Sequence, residues 1–230
     1  MDILKVSNLY KSFDNKKVIN GVSFTVQSGK IVGLLGKNGS GKTTVIKMIN
    51  DLLTIDEGEV LINGEKISEK TKAIVSYLPE RTYLDSSQTV SDCIKYFSDF
   101  YADFDKTKAL ELLKDLGLDG ENSLSKMSKG MKEKIQLILV MSRRAKLYIL
   151  DEPFGGVDPS TRDYIMKTIL KNFGDDSAML ITTHLIADVE KILDEVLFID
   201  NGKIILQGSA EQLREEKGLS IDGIFRREVK

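Results

Sequence analysis

The chain has 230 residues, 41% of them hydrophobic, with a single cysteine and a net charge of 33 − 35 = −2. That is enough apolar material for one α/β domain carrying a subdomain. The near balance of charge excludes an overall electrostatic footprint for nucleic acid, so none is expected as a partner. Cys93, alone, excludes an internal disulfide and reads as a small buried hydrophobe in a reducing compartment. The N-terminal stretch MDILKVSNLYKSFDNKK lacks the apolar core of a signal peptide. The longest apolar runs, such as IQLILVM (135–141), fall far short of a membrane span, so any membrane role must come through a partner.

In chain order, ILKVSNL and KVINGVSFTV alternate as strands do, with the turn FDNKK between them. IVGLL (31–35) is a short continuous apolar run, as a buried parallel strand requires. TTVIKMINDLL follows with Val45, Ile46, Ile49, Leu52 and Leu53 at helical spacing. GEVLINGEKI reads as a hairpin around Asn63-Gly64, and IVSYLP (74–79) as another strand. Residues 88–145 are helix-rich with no intervening strand, which predicts a helical subdomain inserted in the α/β core. LYIL, AMLITT and VLFID then resume the core strands, with the helix STRDYIMKTILKNF between the first two. The tail GSAEQLREEKGLSIDGIFRREVK reads as a surface helix and a short end, ordered or frayed. The expected division is a single domain over 1–230. Its core and β subdomain take 1–85 and 146–215, its helical subdomain 86–145, and a short tail 216–230.

Two stretches carry chemistry. Gly36-Lys37-Asn38-Gly39-Ser40-Gly41-Lys42-Thr43 fits the phosphate-loop pattern GxxxxGK[ST], between a strand and a helix. Glycines let several backbone N–H groups converge on one anion, and the helix starting near Lys42 adds its positive dipole end. Lys42 would reach the β- and γ-phosphates, and the Thr43 hydroxyl would sit on Mg²⁺. In LYILDEP (147–153) an apolar strand ends in two acids, at the sheet edge where α/β ligands bind. Asp151 could hold Mg²⁺, and Glu152 is the natural general base for a water attacking the γ-phosphate.

The chain resembles the ATP-binding subunit of ATP-binding cassette (ABC) transporters over about residues 3–215. GKNGSGKT, continued by Thr44, resembles the Walker A motif and LYILDE the Walker B motif. MSKGM (127–131) resembles the family signature, GGVDP (155–159) the D-loop, and ITTH, ending at His184, the switch histidine. YLPE (77–80) lies where the family has its Q-loop, and Phe13 where an aromatic residue stacks on adenine. The resemblance implies a P-loop NTPase core with a mixed sheet, an antiparallel β subdomain and an inserted α-helical subdomain. It implies ATP and Mg²⁺ as ligands, with Glu80 among the metal's ligands. It also implies a head-to-tail dimer, of identical or related chains, that sandwiches two ATP molecules. Each ATP would meet Ser128 and Gly130 of the opposing copy, and Asp158 would act in the D-loop. A separate integral membrane permease is the implied partner, which places the chain in the cytoplasm on the inner face of the membrane.

Residue chemistry agrees with those roles and leaves some open. Ser128 and Gly130 open a helix, where a hydroxyl and free N–H groups form an anion site, although an ordinary cap would look the same. Asp158 before Pro159 also suits a helix cap. His184, the only histidine, could polarise the γ-phosphate or hold the attacking water. The chain departs from the family pattern at Glu80 (usually Gln), Lys129 (usually Gly), Met131 (usually Gln) and Phe13 (usually Tyr). Lys129 could meet the opposing copy's phosphate or point to solvent. Tyr-Leu-Pro-Glu (77–80) resembles the variant in a branch of bacterial exporter-type subunits, which favours export. The residues around 81–104 would dock the permease, Tyr83 and Leu84 foremost. Two alternatives are a non-transport member of the superfamily acting on ribosomes or DNA, and a regulatory nucleotide-binding module that does not turn over. One cassette, no heptads and the retained Glu152 speak against them.

Overall fold

The computed structural model describes residues 1–14 and 16–229; Asn15, in the expected FDNKK turn, lies outside them. Long strands β1 (Asp2–Phe13) and β2 (Lys16–Gln27) pair antiparallel. They are followed by β3 (Ile31–Leu35), α1 (Lys42–Ile49), β4 (Glu57–Ile62), β5 (Glu65–Lys66), α2 (Glu69–Ala73) and β6 (Val75–Leu78). Three helices come next, α3 (Val90–Phe100), α4 (Lys106–Asp115) and α5 (Lys129–Met141). The chain then runs β7 (Leu147–Asp151), α6 (Pro159–Asn172), β8 (Ala178–Thr183), α7 (Ile186–Val189), β9 (Glu195–Asp200), β10 (Lys203–Ser209), α8 (Ala210–Lys217) and α9 (Ile221–Glu228).

The strands form two sheets. The antiparallel one has the order β2-β1-β4-β5, and the mixed one β10-β9-β3-β8-β7-β6. In the mixed sheet β3, β6, β7, β8 and β9 run parallel and only β10 is antiparallel. Strands β3, β7 and β8 are buried at every residue, as expected for parallel strands covered on both faces. Their alternate side chains divide between two cores. Val32, Leu34, Leu147, Ile149, Ala178 and Leu180 meet α1 and the antiparallel sheet. Ile31, Leu35, Tyr148, Leu150, Met179 and Ile181 meet α6, α7 and α9.

The inserted helices have a third core, built on Val90, Cys93, Phe97, Leu112, Leu113 and Leu124. α5 belongs to both. Its Ile135, Ile138 and Leu139 face α3 and α4, while Leu137, Val140 and Met141 enter the main core. Arg143, 3% exposed, fastens the junction: it pairs with Asp103 at 2.9 Å and donates to the carbonyls of Ala73 and Val75. Burial pushes the Cys93 thiol up to about 11, as an inert buried thiol requires.

The structure corrects the reading at three places. The first helix ends at Ile49, because Asn50 turns its side-chain amide back to the Ile46 carbonyl and Asp51 has φ 57. Leu52 therefore leaves the apolar face and is 62% exposed. Strand β10 was not expected, although Asn201-Gly202, with φ 46 and 72, makes the same kind of hairpin turn as Asn63-Gly64. The tail is also more than a surface helix. Ile221, Ile224, Phe225 and Val229 are buried in the main core, and Phe225 meets Phe198 edge-on at 5.2 Å. Phe225→Ala is therefore expected to cost about 3–5 kcal/mol of unfolding free energy, measured by urea titration. A loss below about 1 kcal/mol would show that α9 is dispensable to the core.

Candidate active site

The site lies where β3, β8 and β7 end together. Their register sets Leu35 beside Thr183 and Thr182 beside Asp151. Each strand thus delivers its next residues to one edge: the glycine loop after β3, His184 after β8, and Glu152 after β7. The loop needs its glycines at definite points. A Cβ on Gly36 would stand 2.5 Å from the Ile199 carbonyl oxygen, and Gly41 has φ 110. α1 then begins at Lys42 with Gly41 as its cap.

Lys42 and the two acids are gathered tightly. The Lys42 ammonium donates to the carbonyls of Gly36 (2.8 Å) and Lys37 (3.2 Å). It pairs with Glu152 Oε1 at 3.2 Å, and both side chains are more than nine-tenths buried. Glu152 Oε2 accepts from the Thr183 hydroxyl at 3.0 Å and the His184 backbone N–H at 3.3 Å, and lies 2.9 Å from His184 Nδ1. The backbone of Glu152 has φ 50, a left-handed conformation that costs energy in a non-glycine residue. Its N–H is held by Thr182, at 3.0 Å from the carbonyl and 3.2 Å from the hydroxyl.

Asp151 is 1% exposed. Its Oδ1 accepts from the Thr182 hydroxyl at 2.5 Å, and its Oδ2 has no partner. Burial, more than anything else, raises its carboxyl above the ordinary 3.8. Thr182 pulls it down, Glu152 and Glu80 push it up, and Thr43 pulls it down. In front of these groups opens a cleft of about 940 Å³, whose walls include Asn38, Gly39, Gly41, Thr43, Thr44 and Glu80. Ser40 is buried in the loop with its hydroxyl unpartnered.

A family profile described as ABC transporter matches residues 19–155. The chain belongs to the ABC transporter ATP-binding family. The lipopolysaccharide export system ATP-binding protein LptB of Haemophilus influenzae is 33% identical to it over 230 residues, covering 94% of this chain and 95% of LptB. The ABC transporter ATP-binding protein YtrB of Bacillus subtilis is 30% identical over 217 residues, covering 93% of this chain and 74% of YtrB. A solved ATP binding subunit of an ABC transporter superposes with a TM-score of 0.89 at 27% identity, covering 99% of this chain and all of that one. ABC ATP-binding proteins are ATPases, and the fold of this chain is the ABC ATPase fold.

Lys129, Gly155 and Gly156 line this cleft as well, whereas Ser128, Gly130 and Asp158 are not among its lining residues. Ser128 caps α5 and accepts from the Met131 N–H at 3.3 Å. Asp158 caps α6, accepting from Thr161 N–H and hydroxyl and from Ser160. Gly130 faces that cap: a Cβ there would lie 3.7 Å from Asp158 Oδ2. Phe13 ends β1, 44% exposed, and is not among the described residues lining the cleft. Lys129 is largely open to solvent, its side chain 74% exposed. It reaches the rim of its own chain's cleft, near Gly156, and pairs with Glu133 at 3.6 Å. Thr182 and Thr183 were missed as site residues. Two hydroxyls ending a strand otherwise made of apolar side chains were the available signal.

A raised carboxyl pKa has a definite sign for stability. The ionised Asp151 costs folding free energy above its folded-state pKa, and the cost vanishes as pH falls below the unfolded value. Asp151→Asn is therefore expected to raise the thermal midpoint at pH 7 in metal-free, nucleotide-free buffer. That gain should shrink as pH is lowered toward 4. A lowered midpoint at pH 7, or a gain that ignores pH, would contradict this account of Asp151.

Proposed function

We propose that this chain is the ATP-hydrolysing subunit of an exporter, paired head to tail around two ATP molecules and driving a separate membrane permease. The carrying observation is the convergence of Lys42, Asp151, Glu152 and His184 at three adjacent strand ends. In this reading the loop from Gly36 to Thr44 cradles the phosphates, with Lys42 neutralising their charge. Glu152 takes a proton from the attacking water, and His184, in contact with the same carboxylate, orients the pair. Mg²⁺ fits the donor set, since Asp151 offers a buried, unpartnered carboxylate oxygen beside the Thr43 hydroxyl. Asp151, Thr43 and Glu80 would hold the ion, which supplies charge neutralisation for the phosphates.

Ser128, Gly130 and Asp158 are not among the residues lining the cleft of their own chain, which supports a second copy presenting ATP to them. Export is supported by the likeness to LptB, the ATP-binding protein of a lipopolysaccharide export system, at 33% identity. Among the described residues no helix is long and apolar enough to cross a membrane, so the cargo path would lie in the permease. Tyr83, 49% exposed, and the stacked Tyr96 and Phe100 of α3 are suited to dock it. Leu84 is less suited, since it packs against the helical core.

Glu152→Gln should lower phosphate release by about 10²-fold or more while ATP still binds. With ATP and Mg²⁺ it should form a long-lived dimer visible by light scattering. Retained hydrolysis would remove Glu152 as the base, and a persistent monomer would remove the sandwich. Tyr83→Asp should weaken recovery of a multi-span membrane protein with the tagged chain. Undiminished recovery would move the docking surface elsewhere.

A further inference from the structure

The turn between β9 and β10 is tied by its backbone to the glycine loop. The Gly202 N–H donates to the Ser40 carbonyl at 3.0 Å, and the Gly202 carbonyl accepts from the Asn20 N–H at 2.9 Å. One residue therefore bridges the loop and β2. Strand β2 lies at an edge of its sheet, and this N–H is spent on the turn instead of on a further strand. The packing is as close as the bonding. A Cβ at Gly202 would stand 2.1 Å from the Val18 carbonyl oxygen, where ordinary contact begins at 3.4 Å. A Cβ at Gly41 would stand 2.6 Å from Ile19 Cδ1 and 3.7 Å from the Gly202 Cα. The Ile199 carbonyl, at the end of β9, crowds Gly36 in the same way. The β9–β10 hairpin thus meets the loop at both ends.

A loop that binds an anion through N–H groups must hold them in fixed directions. A glycine-rich segment left free would lose conformational entropy at the moment of binding. The Ser40 carbonyl and the Gly41 N–H belong to one peptide unit, and a trans peptide sets them on opposite sides. Gripping that carbonyl from the turn therefore points the Gly41 N–H away from the turn. Gly41 and Val18 both line the phosphate cleft, so the same contact also sets one wall of the cleft against another.

We propose that Gly202 is a positioning residue for ATP hydrolysis, holding the Ser40-Gly41 peptide so that the loop presents its N–H groups to the phosphates of the nucleotide. The proposal rests on the reading of residues 36–44 as a phosphate cradle. Asn63-Gly64 supplies an internal control. Gly64 has φ 80 in the same kind of turn, and a Cβ there meets nothing within 4 Å. Gly64→Ala therefore carries the backbone strain without the collision. Gly202→Ala carries both, and must push the turn back from Val18 by about 1 Å, a displacement large enough to disturb a reacting geometry.

The test is nucleotide binding and hydrolysis by the full chain, at a temperature where wild type and both variants are folded. Gly202→Ala should bind ADP and ATP about tenfold more weakly, as for one charge-assisted hydrogen bond lost. Its phosphate release at saturating ATP should fall by about 10²-fold. Gly64→Ala should match wild type in both. Hydrogen exchange in the nucleotide-free chain should quicken across residues 36–49 in Gly202→Ala alone. A lowered thermal midpoint in Gly202→Ala with wild-type nucleotide affinity and wild-type exchange would make Gly202 merely structural and overturn the proposal. Should Gly202→Ala fail to fold, Asn20→Pro takes its place, since an edge strand tolerates proline and the substitution removes the N–H that holds the turn from β2. Weaker binding and faster exchange are again expected, and wild-type values overturn the proposal. A wild-type chain that binds neither nucleotide removes the cradle reading and the role of Gly202 with it. Normal wild-type binding that Gly202→Ala leaves intact removes only the role of Gly202.

Discussion

Two adjacent carboxylates at the end of a fully buried strand are the constraint on which the site depends. Burying an anion is costly unless hydrogen bonds or an opposite charge compensate it. Glu152 is compensated three ways, by the Lys42 ammonium, the Thr183 hydroxyl and the His184 backbone. Asp151 is compensated only in part, with one oxygen on Thr182 and the other unpartnered. The asymmetry supports the proposed roles, with Asp151 meeting a ligand from outside the chain and Glu152 held ready in place.

The rest of the fold serves that edge. Parallel pairing of β3, β8 and β7 aligns their ends within one residue, so loop, histidine and acids meet without a long connection. The antiparallel sheet and α1 cover one face of these strands, and α6, α7 and α9 cover the other. The strands cannot slide without exposing a core. α5 then links this rigid base to a helical subdomain with a core of its own, and Arg143 holds the junction. Ser128 at the start of α5 thereby has a defined position relative to Asp151, although it lies outside the cleft.

Much of this was legible in the residues. The glycine loop between strand and helix has a pattern whose geometry follows from its chemistry, and the paired acids after LYIL are unusual at the end of an apolar strand. What was not legible depended on partners distant in sequence. Thr182 and Thr183 look like strand residues until β8 is paired with β7. Lys129 gave no sign that it would reach the rim of its own cleft, because that depends on how α5 meets the turn at Gly156. The tail misled for a simpler reason: its charge is conspicuous, while the apolar face of α9 is only a few residues wide. Strand β10 does carry a sequence signal, since Asn201-Gly202 is the same turn dipeptide type as Asn63-Gly64.

Ser128, Gly130 and Asp158 do not line the cleft that holds Lys42 and Glu152, so the central claim is that one chain carries only half of each working site. The most direct measurement is phosphate release per chain as a function of chain concentration, at saturating ATP and Mg²⁺. The account predicts that specific activity is low in dilute solution and climbs to a plateau as a second copy completes the site. Specific activity that stays constant down to concentrations where light scattering sees only monomer would contradict it.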